Sequence, residues 1–127
     1  MSALIAPVKS IPLLRPTSVN GMYHNIRGKG RVKTERYMTW RRAAEWEARK
    51  AGPIRLMPGP VHIDLYVSED GVGNMDLDNT AKAYLDLFVD LGLIEDDNKK
   101  IVRSISLRWV TGQGRAIIQS LSQPPAQ

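Results

Sequence analysis

Val61-His62-Ile63-Asp64-Leu65-Tyr66-Val67-Ser68 alternates apolar and polar residues with a period of two. In an extended chain that period sends Val61, Ile63, Leu65 and Val67 to one face and His62, Asp64 and Tyr66 to the other. The stretch from Pro60 to Ser68 is therefore read as a half-buried strand. Downstream the period changes. Ala81, Tyr84, Leu85, Phe88 and Leu91 recur at helical spacing, with Asp78 or Asn79 as the expected N-cap and Gly92 as the residue just past the end. Glu95-Asp96-Asp97-Asn98 then reads as a turn into a strand from about Ile101 to Val110. Gly112-Gln113-Gly114 reads as a hairpin turn into a last strand, Arg115 to Leu121.

Upstream, Ile11 to Leu14 is a short apolar run stopped by Arg15-Pro16, and a basic stretch, His24 to Lys33, reads as a loop. Thr34 is placed to cap a helix from Glu35 to Ala51, with Tyr37, Trp40, Ala44 and Ala48 as its apolar stripe and Gly52-Pro53 as its stop. The order strand, helix, strand, helix, strand, strand predicts an α+β fold: one small domain with a mixed sheet and two main helices. Residues 1–10 are expected to be a flexible lead-in, 11–121 the folded domain and 122–127 a frayed tail.

With 127 residues the chain fits one domain. It has no cysteine, which excludes a disulfide framework, a thiolate metal site and a cysteine nucleophile. No stretch approaches the roughly 20 apolar residues of a membrane span, so a soluble, cytoplasmic protein with no membrane partner is expected. Charge is unevenly spread. Residues 1–58 hold 12 of the 18 Lys and Arg but only three acids, whereas residues 59–127 hold ten of the 13 acids. A basic half suits a surface that neutralises phosphates.

The acids of the other half cluster in Asp76-Leu77-Asp78-Asn79, then Lys82, Asp86 and Asp96-Asp97. In an extended segment the spacing of Asp76 and Asp78 puts both carboxylates on one side, where they repel unless a cation lies between them. Magnesium takes such hard oxygen ligands. Lys82, one turn after Asp78, is placed to hold Asp78 or to stabilise charge on a phosphate. A chain returning from the helix would bring Asp96 or Asp97 back towards the first pair. The residues alone leave a second reading open, in which the acids form only an N-cap and a solvated turn.

The run Asp76-Leu77-Asp78-Asn79-x-x-Lys82-Ala83-x-x-Asp86, followed by Leu91-Gly92-Leu93 and Asp96-Asp97, resembles the signature of the RusA family of Holliday-junction resolvases. Pro16-Thr17-Ser18-x-Asn20-x-x-Tyr23 resembles the family's N-terminal motif, so the likeness spans about residues 11–110. It implies a magnesium-dependent endodeoxyribonuclease, with Mn²⁺ as a substitute ion, that acts as a homodimer on branched DNA, especially four-way junctions. A bacterial or prophage source is implied too. By the resemblance Asp76, Asp78 and Asp97 bind the metal, Lys82 is the catalytic lysine, and Asp86 and Asp96 match less critical positions. Asn20 and Tyr23 line the site or the DNA path. Two departures stand out. An arginine cluster usual before the Asp-Leu-Asp-Asn run is replaced by Glu69-Asp70-Gly71-Val72-Gly73-Asn74-Met75, and Lys99 stands where a glutamine is frequent.

The DNA surface is accordingly expected on Arg27, Lys29, Arg31 and Lys33 with Arg36, Arg41 and Arg42. One acidic cluster per chain cannot make two symmetric cuts, so a two-fold dimer is expected, with Met57, Trp46, Trp109 and Phe88 as candidates for core or interface. His24 and His62 are too few and too far apart in the chain for a histidine metal site. Two rivals remain at this level: a non-catalytic branched-DNA-binding protein, and a nuclease for flaps or forks.

Overall fold

A computed structural model describes residues 7–17, 23–26 and 30–121. In chain order the elements are β1 (Val8–Leu13), β2 (Tyr23–Ile26), β3 (Gly30–Lys33), α1 (Glu35–Lys50), β4 (Val61–Ser68), a 3-10 turn (Leu77–Thr80), α2 (Ala81–Asp90), β5 (Val102–Val110) and β6 (Gly114–Ser120). The fold is the expected small α+β domain, with a four-stranded mixed sheet and two helices on one of its faces.

The alternation in β4 organises the rest. Val61, Ile63, Leu65 and Val67 are fully buried and meet Ile11 and Leu13 of β1, Ala116 and Ile118 of β6, and Tyr84, Leu87 and Phe88 of α2 in one core. Each large apolar side chain sealed this way contributes about 1.5–3 kcal/mol. Ala44 and Ala48 of α1 join the same core, and their small size lets the helix approach closely. Thr34 caps α1 as expected, its side chain accepting from the Tyr37 N–H at 3.1 Å. Gly92 ends α2 as expected, at φ +75°, a conformation that costs an L side chain strain. The buried face of α2 is rotated slightly from the expected stripe: Ala83 and Leu87 are sealed, whereas Ala81 and Leu85 are half-buried.

Four local expectations are corrected. The strand order is β1-β6-β4-β5, so β5 and β6 are not a hairpin, because β4 lies between them. β5 runs parallel to β4, and β6 pairs antiparallel with both β4 and β1. The segment after Val110 arches over the end of β4, tied there by the Gly112 N–H donating to Asp70 Oδ2 at 3.0 Å. A side chain at Gly114 would place its Cβ 2.7 Å from the Tyr66 carbonyl oxygen, so glycine is required for the crossing. The physical reason lies in α2. A helix between two parallel strands places β5 against one edge of β4, which leaves β6 only the other.

Secondly, the stretch read as a basic loop is an antiparallel hairpin, Tyr23 pairing with Lys33 and Ile26 with Gly30. Its few apolar residues gave no strand signal. Thirdly, β1 starts at Val8, so Val8 to Ser10 belong to the sheet, paired with Gln119 to Ile117, and not to a lead-in. Fourthly, neither Asp78 nor Asn79 caps α2. Its N-cap is Thr80, whose hydroxyl instead donates to the Leu77 carbonyl at 2.7 Å within the 3-10 turn.

The sheet face away from the helices is polar. Across its middle, Ser106 and Asp64 are cross-strand partners, and the Ser106 hydroxyl donates to Asp64 Oδ1. His62 bridges on, with Nε2 2.8 Å from Asp64 Oδ1 and Nδ1 2.6 Å from Ser104 Oγ. A carboxylate only accepts, so Nε2 carries the proton between them. The Ser106 hydroxyl, foremost, and His62 hold the Asp64 carboxyl below its ordinary 3.8. A folded-state value that is lowered gives stability that is complete above the ordinary value and fades as pH falls through the lowered one. Asp64→Ala is expected to cost about 1 kcal/mol at pH 7. The gap in thermal midpoint between it and the parent should close below pH 3.8. A gap that persists undiminished at pH 2 would contradict the assignment.

Candidate active site

The acidic residues lie where β4 hands the chain to α2. After β4 the backbone passes Glu69 to Met75 and reaches Asp76 in an extended conformation, φ −78° and ψ 136°. Asp78 follows in the 3-10 turn, and both carboxylates are exposed. Asp76 occupies a cap position yet makes no side-chain cap hydrogen bond. Among the described residues neither carboxylate has a hydrogen-bond or ion-pair partner. Neither side chain therefore caps the 3-10 turn or α2.

Lys82, in the first turn of α2, reaches Asp86 Oδ1 at 3.1 Å and Asp97 Oδ2 at 3.3 Å. Its expected pairing with Asp78 is not formed. Instead it ties the returning loop to the start of the helix and sets Asp97 beside α2, and no group of acids that joins Asp97 to Asp76 and Asp78 is found among the described residues. The Asp86 hydrogen bond, first, and Asp97 after it raise the Lys82 ammonium above its ordinary value, so the group stays charged. Asp86 was matched only to a less critical position, and its spacing of four from Lys82 was the available signal.

The two neighbouring acids of the loop do different things. Asp96 folds back on its own turn: Oδ1 accepts from the Asp97 N–H at 2.7 Å and Oδ2 from Asn98 Nδ2 at 2.9 Å. The Asp97 N–H is the main cause that lowers the Asp96 carboxyl. Asn98 continues the pattern by accepting from the Lys100 N–H at 2.9 Å. Asp96 therefore shapes the turn, and Asp97 is the carboxylate presented to Lys82. No group of three His, Asp or Glu side chains close enough to hold a metal by themselves is found among the described residues.

Of the expected DNA-contacting residues, Lys33, Arg36 and Arg42 are exposed, and Lys33 Nζ sits 5.8 Å from the Tyr37 ring centroid. Asn20, Arg27 and Lys29 lie outside the described residues, as do the side chains of Tyr23 and Arg31. Arg41 is a correction. It is 3% exposed, donates to the Tyr37 hydroxyl at 3.0 Å and the Asp86 carbonyl at 3.2 Å, and is ion-paired with Asp90. Glu45 stands 3.6 Å from Nε, beyond hydrogen-bond reach. Helical spacing put Arg41 outside the apolar stripe, but α2 packs against that flank of α1. Its guanidinium joins the two helices directly behind the Lys82–Asp86 pair.

Removing one partner of such a buried network leaves the other groups unsatisfied. Arg41→Ala is expected to destabilise the fold by about 2–3 kcal/mol, near the low end because Asp90 is half-exposed. That corresponds to a drop of roughly 10 °C in thermal midpoint. Arg42→Ala, on the exposed flank, should change the midpoint by only about 1–2 °C. Equal effects from the two would refute the bridging role.

Fold and site together define a class: a small basic α+β protein with two exposed carboxylates between a strand and a helix and a lysine in the first turn of that helix. Within that class the match is specific. The family model for endodeoxyribonuclease RusA covers residues 13–119, most of the chain. The chain belongs to the RusA family, and membership implies nuclease activity at Holliday junctions. No curated protein matches it.

Proposed function

We propose that the chain is a magnesium-dependent, structure-selective endonuclease that resolves four-way DNA junctions by paired, symmetric nicks. The observation that carries the reading is the pair Asp76 and Asp78, exposed and without partners among the described residues, next to a Lys82 that holds Asp97.

The donor set suits Mg²⁺. It consists of carboxylate oxygens, and this ion commonly keeps several waters and takes only one or two protein carboxylates. Asp76 and Asp78 would hold the ion, with Asp97 as the third ligand that the family resemblance implies; such an ion, when bound, would neutralise the phosphodiester and lower the pKa of a bound water. Lys82 fixes the orientation of Asp97 and sets a permanent positive charge beside the cut, where negative charge grows on the phosphoryl or leaving oxygen. Lys33, Arg36 and Arg42 hold flanking phosphates, which gives affinity without base reading. The expected products are a 5′-phosphate and a 3′-hydroxyl.

A single chain offers one such site, and two nicks related by two-fold symmetry need two, so the acting unit is a homodimer. Of the four candidates for core or interface, Phe88 and Met57 are buried, Trp109 is half-buried against the core, and only Trp46, 67% exposed, is free to meet a partner.

The test is cleavage of an end-labelled synthetic four-way junction beside a linear duplex of the same sequence, with Mg²⁺ and with EDTA. Paired nicks at symmetric positions, dependent on the metal and weak on the duplex, are the expected result. Tight junction binding without nicks in either Mg²⁺ or Mn²⁺ would overturn the catalytic reading.

A further inference from the structure

The exit of β1 is held unusually firmly. Three successive carbonyls, those of Leu13, Leu14 and Arg15, each accept from a side chain of a different segment. Gln113 Nε2 donates to Leu13 at 2.9 Å, the Tyr84 hydroxyl to Leu14 at 2.7 Å, and Trp40 Nε1 to Arg15 at 2.6 Å. Burial pushes the Tyr84 phenol up, so it remains a donor. The effect of the three bonds is to fix where Arg15 leaves the sheet.

Arg15 leaves it at the mouth of a cleft of about 330 Å³ between β1, α1 and the loop that leads to Asp76. Arg15 and Arg36 supply its positive charge, and Pro16, Trp40 and Met75 its apolar wall. Among the described residues no acidic residue lines it, and neither guanidinium is ion-paired. The Arg15 guanidinium does touch the loop, with Nη1 3.4 Å from the Asp70 carbonyl oxygen, and it passes so close to Gly71 that a Cβ there would lie 2.6 Å away. Met75 immediately precedes Asp76, so the cleft lies about one Cα step, ~3.8 Å, along the chain from the first acidic residue.

From this arrangement we infer that the cleft is a subsite for the nucleotide that flanks the cut. It takes the phosphate between Arg15 and Arg36, and the sugar and base against Trp40, Pro16 and Met75. The inference rests on the nuclease reading and extends it to residues outside the acidic motif. The volume is at the small end for ligand clefts and matches one nucleotide rather than a duplex. Two unpaired guanidiniums suit a phosphodiester, since each presents a planar fork of donors. An apolar wall beside them suits a sugar or an unstacked base.

The test is the anisotropy of a labelled four-way junction titrated with protein in EDTA, from 50 to 200 mM salt. The variants are Arg15→Ala, Arg36→Ala and the double variant, with Arg49→Ala at the far end of α1 as the control. Each cleft variant is expected to bind roughly five- to tenfold more weakly and to lower the slope of log affinity against log salt by about one. The double variant should lose about two, and the control should match the parent. Arg15→Lys, which keeps the charge but not the fork, should restore the slope and only part of the affinity. Thermal midpoints within about 2 °C of the parent establish that the variants fold, since both side chains are exposed. Parental affinity and slope in the double variant, with the parent cutting junctions in Mg²⁺, would overturn the subsite alone. A parent that neither binds nor cuts junctions would overturn the nuclease reading and the subsite with it.

Discussion

Asp78→Asn is expected to lower junction cleavage by at least about 10³-fold, or ~4 kcal/mol of transition-state stabilisation, while leaving junction binding intact. Asparagine has nearly the shape of aspartate, so the loss isolates charge. The Asp78 side chain is exposed and makes no hydrogen bond or ion pair among the described residues, so the fold does not depend on it. A change of thermal midpoint below about 2 °C should accompany the catalytic loss. The measurement is a single-turnover cleavage rate with enzyme in excess, beside anisotropy on the same junction. In EDTA the variant should bind as well as the parent or slightly better, because a negative charge near the phosphates has been removed. A variant that cuts at the parental rate would remove Asp78 from the site. A variant that binds poorly would make it a DNA-positioning residue instead.

Lys82→Met follows with an expected loss of about 10²–10³-fold in the cutting step. Methionine keeps the length and apolar stem of the lysine, and two things are lost with the charge. One is the cation beside the reacting phosphate. The other is the tether at 3.3 Å that holds Asp97 against α2. Lys82→Arg separates them, since it keeps both the charge and the ability to pair with carboxylates but changes the shape of the head group. It should recover part of the rate. Because Asp86 and Asp97 raise the ammonium above its ordinary 10.5, the lysine keeps its proton across the neutral range. The pH profile of the parent should show no fall in rate caused by Lys82 between pH 7 and the ordinary lysine value. If Lys82→Met cuts at the parental rate while still folding, neither role stands.

How much of this was legible in the chain depended on which interaction sets each feature. β4, α1 and the end of α2 were readable because periodicity, Thr34 and Gly92 are local signals. The class of the fold followed from their order. What could not be read was anything decided by non-local pairing. Gly112-Gln113-Gly114 has the glycines of a hairpin, yet the same residues serve an arch across Ser68, and only the pairing of β4 with both neighbours distinguishes the two. Arg41 behaved likewise. Its helical position is polar by pattern, but the carbonyl of Asp86 and the carboxylate of Asp90 come from another helix. At the site, Asp76 and Asp78 stood out by spacing, and Asp97 was separated from Asp96 only by the family resemblance. The partners of Lys82 did not, because three acids compete for one ammonium and geometry alone chooses Asp86 and Asp97 over Asp78.

The position of β6 bears on the order in which the protein comes into being. β6 is the last strand among the described residues, yet it lies in the interior of the sheet, between β1 and β4. The acidic segment, from β4 through α2 to β5, is contiguous in sequence and can begin to form while the remainder is still being made. Arg15 reaches its place only after β6 has bound β1 on one side and β4 on the other, a closure that spans nearly the whole chain. Such long-range closure is slow compared with helix formation. A chain shortened before β6 keeps the acidic segment in its sequence but loses the strand that joins β1 to β4, and with it the seat of Arg15.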